Sequence, residues 1–131
     1  MKQKIKTILE TIEIKDFTPV GVLENLIKTY ESNKFFLFES NEKTGNYSFL
    51  GINPIETLVV KEGLAFLERE NSKSILKGDI LNIINNFINK YESNIKDSFI
   101  GGDIGYISYD FVKHLENINL PEINSFNENE A

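Results

Sequence analysis

The sequence contains no cysteine and no tryptophan, and among its 131 residues only one histidine and one methionine. Without thiols there are no disulfides, no cysteine nucleophile and no thiolate metal site. His114 has no second histidine and no serine in a nucleophile motif, so triad chemistry is not expected and His114 reads as a surface residue. Basic residues are in deficit, 14 against 20 acidic, for a net charge of −6. That balance disfavours binding along a phosphate backbone, which needs clustered Lys and Arg, so no nucleic-acid partner is expected. No apolar run approaches the roughly 20 residues that cross a bilayer, and Met1-Lys-Gln-Lys-Ile-Lys6 lacks the apolar centre of a signal peptide. No membrane partner and a cytoplasmic location are the expectation. Glu68-Arg-Glu70 and Asn41-Glu-Lys43 read as solvated charges, and no carboxylate pair for acid–base work stands out, so no catalytic residue, cofactor site or metal site is assigned.

What is present is an ordinary globular balance, 40% hydrophobic and 26% charged, in a length suited to one domain with a real core. Ile5, Ile8, Leu9 and Ile12 would suit a helical face, yet Thr11 to Lys15 alternate as a strand does, and of the two readings the strand is taken. Thr18-Pro19 is a helix start, with Val22, Leu23, Leu26, Ile27 and Tyr30 on one apolar face. Glu31 to Lys34 breaks that helix, and Phe35-Phe-Leu-Phe38 reads as a short buried strand that brings Glu39 and Ser40 to its end. A polar loop, Asn41 to Asn46, leads to a second strand, Tyr47 to Ile52, stopped by Asn53-Pro54. Thr57 to Val60 and Leu64 to Leu67 flank Lys61-Glu-Gly63 as a hairpin. Asp79 caps a second helix with Ile80, Leu81, Ile84, Phe87, Ile88 and Tyr91 on one side and four asparagines opposite. The order predicts an α+β domain, a largely antiparallel sheet with two main helices on one face, over residues 1–117. Residues 118–131 read as a linker or frayed tail, and Tyr109 to Glu116 begins a short helix.

The run Phe99-Ile-Gly-Gly-Asp-Ile-Gly-Tyr-Ile-Ser-Tyr-Asp110 is unusual, since glycine weakens a strand unless a bulge or another backbone needs the space. A phosphate loop is excluded, because no Lys-Ser or Lys-Thr follows and Asp103 repels an anion. Together with Phe38-Glu-Ser40, Tyr47-Ser-Phe-Leu-Gly51 and Pro54, this run resembles the N-terminal region of anthranilate synthase component I, a chorismate-utilising family. Phe38-Glu39-Ser40 is similar to the family's Leu-Leu-Glu-Ser element, and residues 47–54 to its Arg-Tyr-Ser-Phe-Ile-Gly-x-Asp-Pro element. Asn46 and Asn53 depart from it, standing where relatives carry arginine and aspartate. Phe99 to Asp110, with Glu116 and Leu120-Pro121, is similar to its Phe-x-Gly-Gly-x-Val-Gly-Tyr-x-x-Tyr-Asp element.

The resemblance implies a site for L-tryptophan as feedback inhibitor at Phe38, Glu39, Ser40, Tyr47 and Ser48, with Glu39 suited to the ammonium and Ser40 to a hydrogen bond. A Glu-Ser pair at a strand end is by itself also an ordinary turn and cap. For the intact enzyme the resemblance implies conversion of chorismate and ammonia to anthranilate and pyruvate in tryptophan biosynthesis. Magnesium and chorismate would be held by a C-terminal catalytic region of the same protein, and ammonia supplied by a glutamine amidotransferase subunit. This chain alone is then expected to be inactive. The alternatives are the corresponding domain of aminodeoxychorismate synthase component I, of the folate pathway, and a free-standing small-molecule-binding module.

Overall fold

A computed structural model describes residues 2–13, 15–40, 47–95, 101–116, 118 and 131. Among them the elements are β1 (Gln3–Ile5), α1 (Pro19–Tyr30), β2 (Phe35–Glu39), β3 (Ser48–Ile52), β4 (Glu56–Lys61), β5 (Leu64–Arg69), β6 (Ser72–Leu76), α2 (Ile80–Ile88) and β7 (Tyr91–Ser93), with a 3₁₀ helix at Tyr109–His114. The class is α+β with mostly antiparallel pairing, as predicted. The strands divide into three sheets, β1–β7, β2–β3 and β4–β5–β6, and the chain forms two compact units, Glu10–Ile55 and Met1–Leu9 with Glu56–Ala131.

In the first unit Thr18 starts α1 as expected, its Oγ1 accepting from the Gly21 N–H at 3.1 Å with Pro19 at the first helical position. Leu23 is buried and Val22, Leu26 and Ile27 are half-buried, while Tyr30 in the last turn is exposed rather than part of the packed face. Glu31 closes the helix in the left-handed region at φ 49°. The buried Ser32 then fixes the exit, its hydroxyl donating to the Lys34 carbonyl at 2.8 Å. α1 packs on both β2 and β3, which pair antiparallel from Phe35↔Ile52 to Glu39↔Ser48.

The aromatic strand forms where predicted but is not buried: Phe35 is 56% and Phe38 55% exposed. Alternation puts Phe35 and Phe38 on opposite faces of the two-stranded ladder, so both faces keep exposed aromatic surface. The expected strand at Thr11–Lys15 is absent among the described residues; Thr11 to Glu13 have no ladder partner and Ile12 is 74% exposed. Alternation needs a paired edge before it becomes a strand. Gly51 is required by packing, since a Cβ there would lie 2.3 Å from Phe36 Cε1. Gly51→Ala must push the ring aside, and urea unfolding should show a loss of about 1 to 2 kcal/mol, the range for overpacking.

In the second unit β4 and β5 form the predicted hairpin, and Glu62 (φ 52°) and Gly63 (φ 72°) supply the two positive-φ residues of a two-residue turn. β6, not anticipated, extends the sheet through the turn at Glu70-Asn71. Asp79 caps α2 as predicted, its Oδ1 accepting from the Asn82 N–H at 2.9 Å. The helix stops at Ile88, and Tyr91 starts β7 instead of ending the helix. β7 pairs parallel with β1, Gln3↔Tyr91 to Ile5↔Ser93, and the ladder is extended by Thr7, whose N–H donates to Asn94 Oδ1 at 2.6 Å and whose hydroxyl bonds Ser93 Oγ at 2.7 Å. Val60, Ala65, Ile80 and Phe111 form the buried core, with Leu58, Leu76, Ile83, Ile84 and Ala131 against it.

The glycine-rich run is not a strand over its described part. Residues 101–108 are irregular, Gly101 sits at φ 131°, and a Cβ at Gly101 or Gly105 would meet open space. At Gly101 it is backbone conformation rather than close approach that asks for glycine. Phe99 and Ile100 lie outside the described residues, as do Asn41 to Asn46 and 119–130 of the expected tail. His114 is half-buried rather than on the surface, its ring 5.1 Å from that of Phe111.

Candidate functional site

β2 and β3 bring all five candidate residues to one end of their ladder. Glu39 pairs with Ser48 and Phe38 with Phe49. Beyond them the Ser40 N–H donates to the Tyr47 carbonyl at 3.2 Å, while the Tyr47 N–H donates to Ser40 Oγ at 3.2 Å. A side-chain hydroxyl thus takes over from the main chain where the ladder ends, the cap role open to a serine at this place. Because hydrogen-bonded and non-hydrogen-bonded pairs alternate, Glu39–Ser48 is of the second kind, in which side chains approach most closely.

Alternation also sorts the candidates. Phe38 shares a face with Phe49, and Glu39 shares the opposite face with Ser48. A carboxylate and a hydroxyl side by side on an exposed strand end can hold an ammonium group. Phe38 and Tyr47, 55% and 74% exposed, offer aromatic surface that no described residue covers. The site as described is an open platform, not an enclosed pocket.

Two further groupings escaped sequence reasoning. Ile12, Phe17, Val22, Asn25, Leu26 and Thr29 line an apolar groove of about 360 Å³ beside α1; only the α1 periodicity pointed to it, and only for Val22 and Leu26. Glu56, its side chain 3% exposed, accepts from Lys90 Nζ at both carboxylate oxygens and from Arg69 Nε, each at 2.5 Å. Burial pushes the Glu56 carboxyl up, but hydrogen bonds from Lys90, Tyr91 and Arg69 outweigh it and hold it below the usual value. Partners 13 and 34 positions apart leave no local pattern to read. Among the described residues no three His, Cys, Asp or Glu side chains gather to hold a metal ion. No helix among them is long and apolar enough to cross a membrane.

In sequence the chain is similar to component 1 chains of anthranilate synthase and aminodeoxychorismate synthase. In particular, it is a homologue of anthranilate synthase component 1. It is 31% identical over 116 residues to that protein from Bacillus subtilis, covering 83% of this chain and 22% of the relative. It is 35% identical over 115 residues to that of Acetivibrio thermocellus, covering 80% of this chain and 22% of the relative. Aminodeoxychorismate synthase component 1 of Bacillus subtilis is 27% identical over 107 residues, covering 79% of this chain and 23% of the relative. The chain thus spans between a fifth and a quarter of the length of these relatives. No family model and no solved structure matches it.

Proposed function

We propose that this chain is the N-terminal, tryptophan-sensing part of an anthranilate synthase component 1. The observation that carries the reading is the similarity to that protein along about four-fifths of the chain, with Glu39 and Ser40 consecutive where the β2–β3 ladder ends. The intact enzyme converts chorismate and ammonia to anthranilate and pyruvate in the cytoplasm. Its C-terminal catalytic region holds chorismate and magnesium, and a glutamine amidotransferase subunit supplies ammonia. This part alone is inactive. L-Tryptophan binds through Glu39 to its ammonium and Ser40 to a polar atom, with Phe38, Tyr47 and Ser48 around it. Binding favours the inactive arrangement of the enzyme and shifts its population.

Ser40→Phe puts a large ring where the Ser40 hydroxyl meets Tyr47 and should raise the L-tryptophan concentration for half-saturation of this chain at least about tenfold, a change of ~1.4 kcal/mol. Unchanged circular dichroism would show that the variant still folds, and unchanged affinity would remove Ser40 from the site. The similarity to aminodeoxychorismate synthase component 1 supports a second reading, a folate-pathway counterpart, in which the chain folds identically and does not respond to tryptophan.

A further inference from the structure

β4 lies at the edge of its three-stranded sheet, and among the described residues no strand pairs with its outer side. One residue does meet that side: the Val60 N–H donates to the Ala131 carbonyl oxygen at 2.6 Å, and the Ala131 N–H donates to the Val60 carbonyl at 3.4 Å. Two residues that exchange both bonds form the hydrogen-bonded pair of an antiparallel ladder, because in a parallel ladder each residue bonds two different partners. The direction and register of any strand through Ala131 are therefore fixed.

The hairpin gives the same phase. With a two-residue turn, Lys61 and Leu64 bond each other, so Lys61, Val59 and Thr57 direct their N–H and C=O groups to β5. Val60, Leu58 and Glu56 direct theirs outward. The side chains of these same three residues are turned into the unit: Val60 is fully buried, Leu58 packs on the core and Glu56 is engaged with Lys90 and Arg69. Their outward main-chain groups are thus a regular, rigidly held acceptor edge, the kind that recruits a strand.

We infer that the outer edge of β4 is a strand-acceptor site, and that its occupant is a strand joined directly to Ala131, antiparallel to β4, with Ala131 opposite Val60. The second residue after Ala131 would then stand opposite Leu58 and the fourth opposite Glu56. The relatives, of which this chain matches 22 to 23%, have ample chain to supply it. The inference is independent of the tryptophan reading, since all its atoms belong to the unit that does not carry Glu39 and Ser40.

The test is amide hydrogen exchange by NMR on three chains: the present one, one lacking Ala131, and one extended after Ala131 by Thr-Val-Thr-Val. Removing Ala131 should speed exchange at the Val60 amide about tenfold, the loss of one closing bond. The extension should slow exchange at the Leu58 amide about tenfold or more, with Thr57 and Val59, already bonded to β5, unchanged. Val60 exchange indifferent to Ala131, or Leu58 exchange indifferent to the extension, overturns the proposal. So does Leu58 protection in the present chain that rises with protein concentration, which would make a second copy the occupant.

Discussion

Glu56→Gln is expected to lower the unfolding free energy by about 3 kcal/mol, the low end of the cost of breaking a buried ion pair from one side. Glutamine keeps the shape of the side chain but not its charge. It leaves Lys90, whose side chain is 19% exposed, without its counter-charge, while Arg69, half exposed, turns to water at little cost. The loss should be greatest near neutral pH. Glu56 titrates below its ordinary value in the folded protein, so its contribution is fully present above the unfolded carboxylate value and disappears as pH falls through the folded value. Urea unfolding of both proteins from pH 7 into the acid range should show the two stabilities converging. A constant gap at all pH values would mean that the carboxylate charge is not what Lys90 requires. The double change Glu56→Leu with Lys90→Met, which removes both charges, should recover part of the loss.

Phe111→Ala should cost at least about 3 kcal/mol, the usual penalty for emptying a buried aromatic site. Phe111 is 3% exposed and belongs to the core with Val60, Ala65 and Ile80, and its ring also meets that of His114. For a chain of this size that loss lowers the thermal midpoint by about 10 °C. Calorimetry of the two proteins measures it directly, and a shift of only a degree or two would show that the 3₁₀ segment does not close this core. The result also bears on the segment that most resembles the synthase family, because Phe111 directly follows Tyr109-Asp110. A large effect marks that segment as part of the architecture.

Elements with local causes were legible in the sequence. The Thr18-Pro19 start of α1, the Asp79 cap of α2 and the Glu62-Gly63 turn each depend on residues within a few positions, and each forms where the pattern places it. Distant pairings were not. β1 exists because Gln3 to Ile5 find β7, nearly 90 residues on, whereas the better-patterned Thr11 to Glu13 find no partner among the described residues. Tyr91 fits the α2 periodicity, yet its pairing with Gln3 draws it into a strand. The site followed the same division. The strand that presents Glu39 and Ser40 was readable, but its exposure, the split of Phe38 and Glu39 between two faces and the Tyr47–Ser40 closure depend on the register with β3. The Glu56 cluster depends on three segments at once.

The central claim is that Phe38, Glu39, Ser40, Tyr47 and Ser48 carry a tryptophan site, and it is tested most directly by titrating L-tryptophan into the folded chain while following the ligand's own fluorescence, which no tryptophan of the protein obscures. The account predicts a saturable change that L-phenylalanine does not reproduce. A sample shown to be folded that gives no saturable change, or the same change with both amino acids, would contradict it.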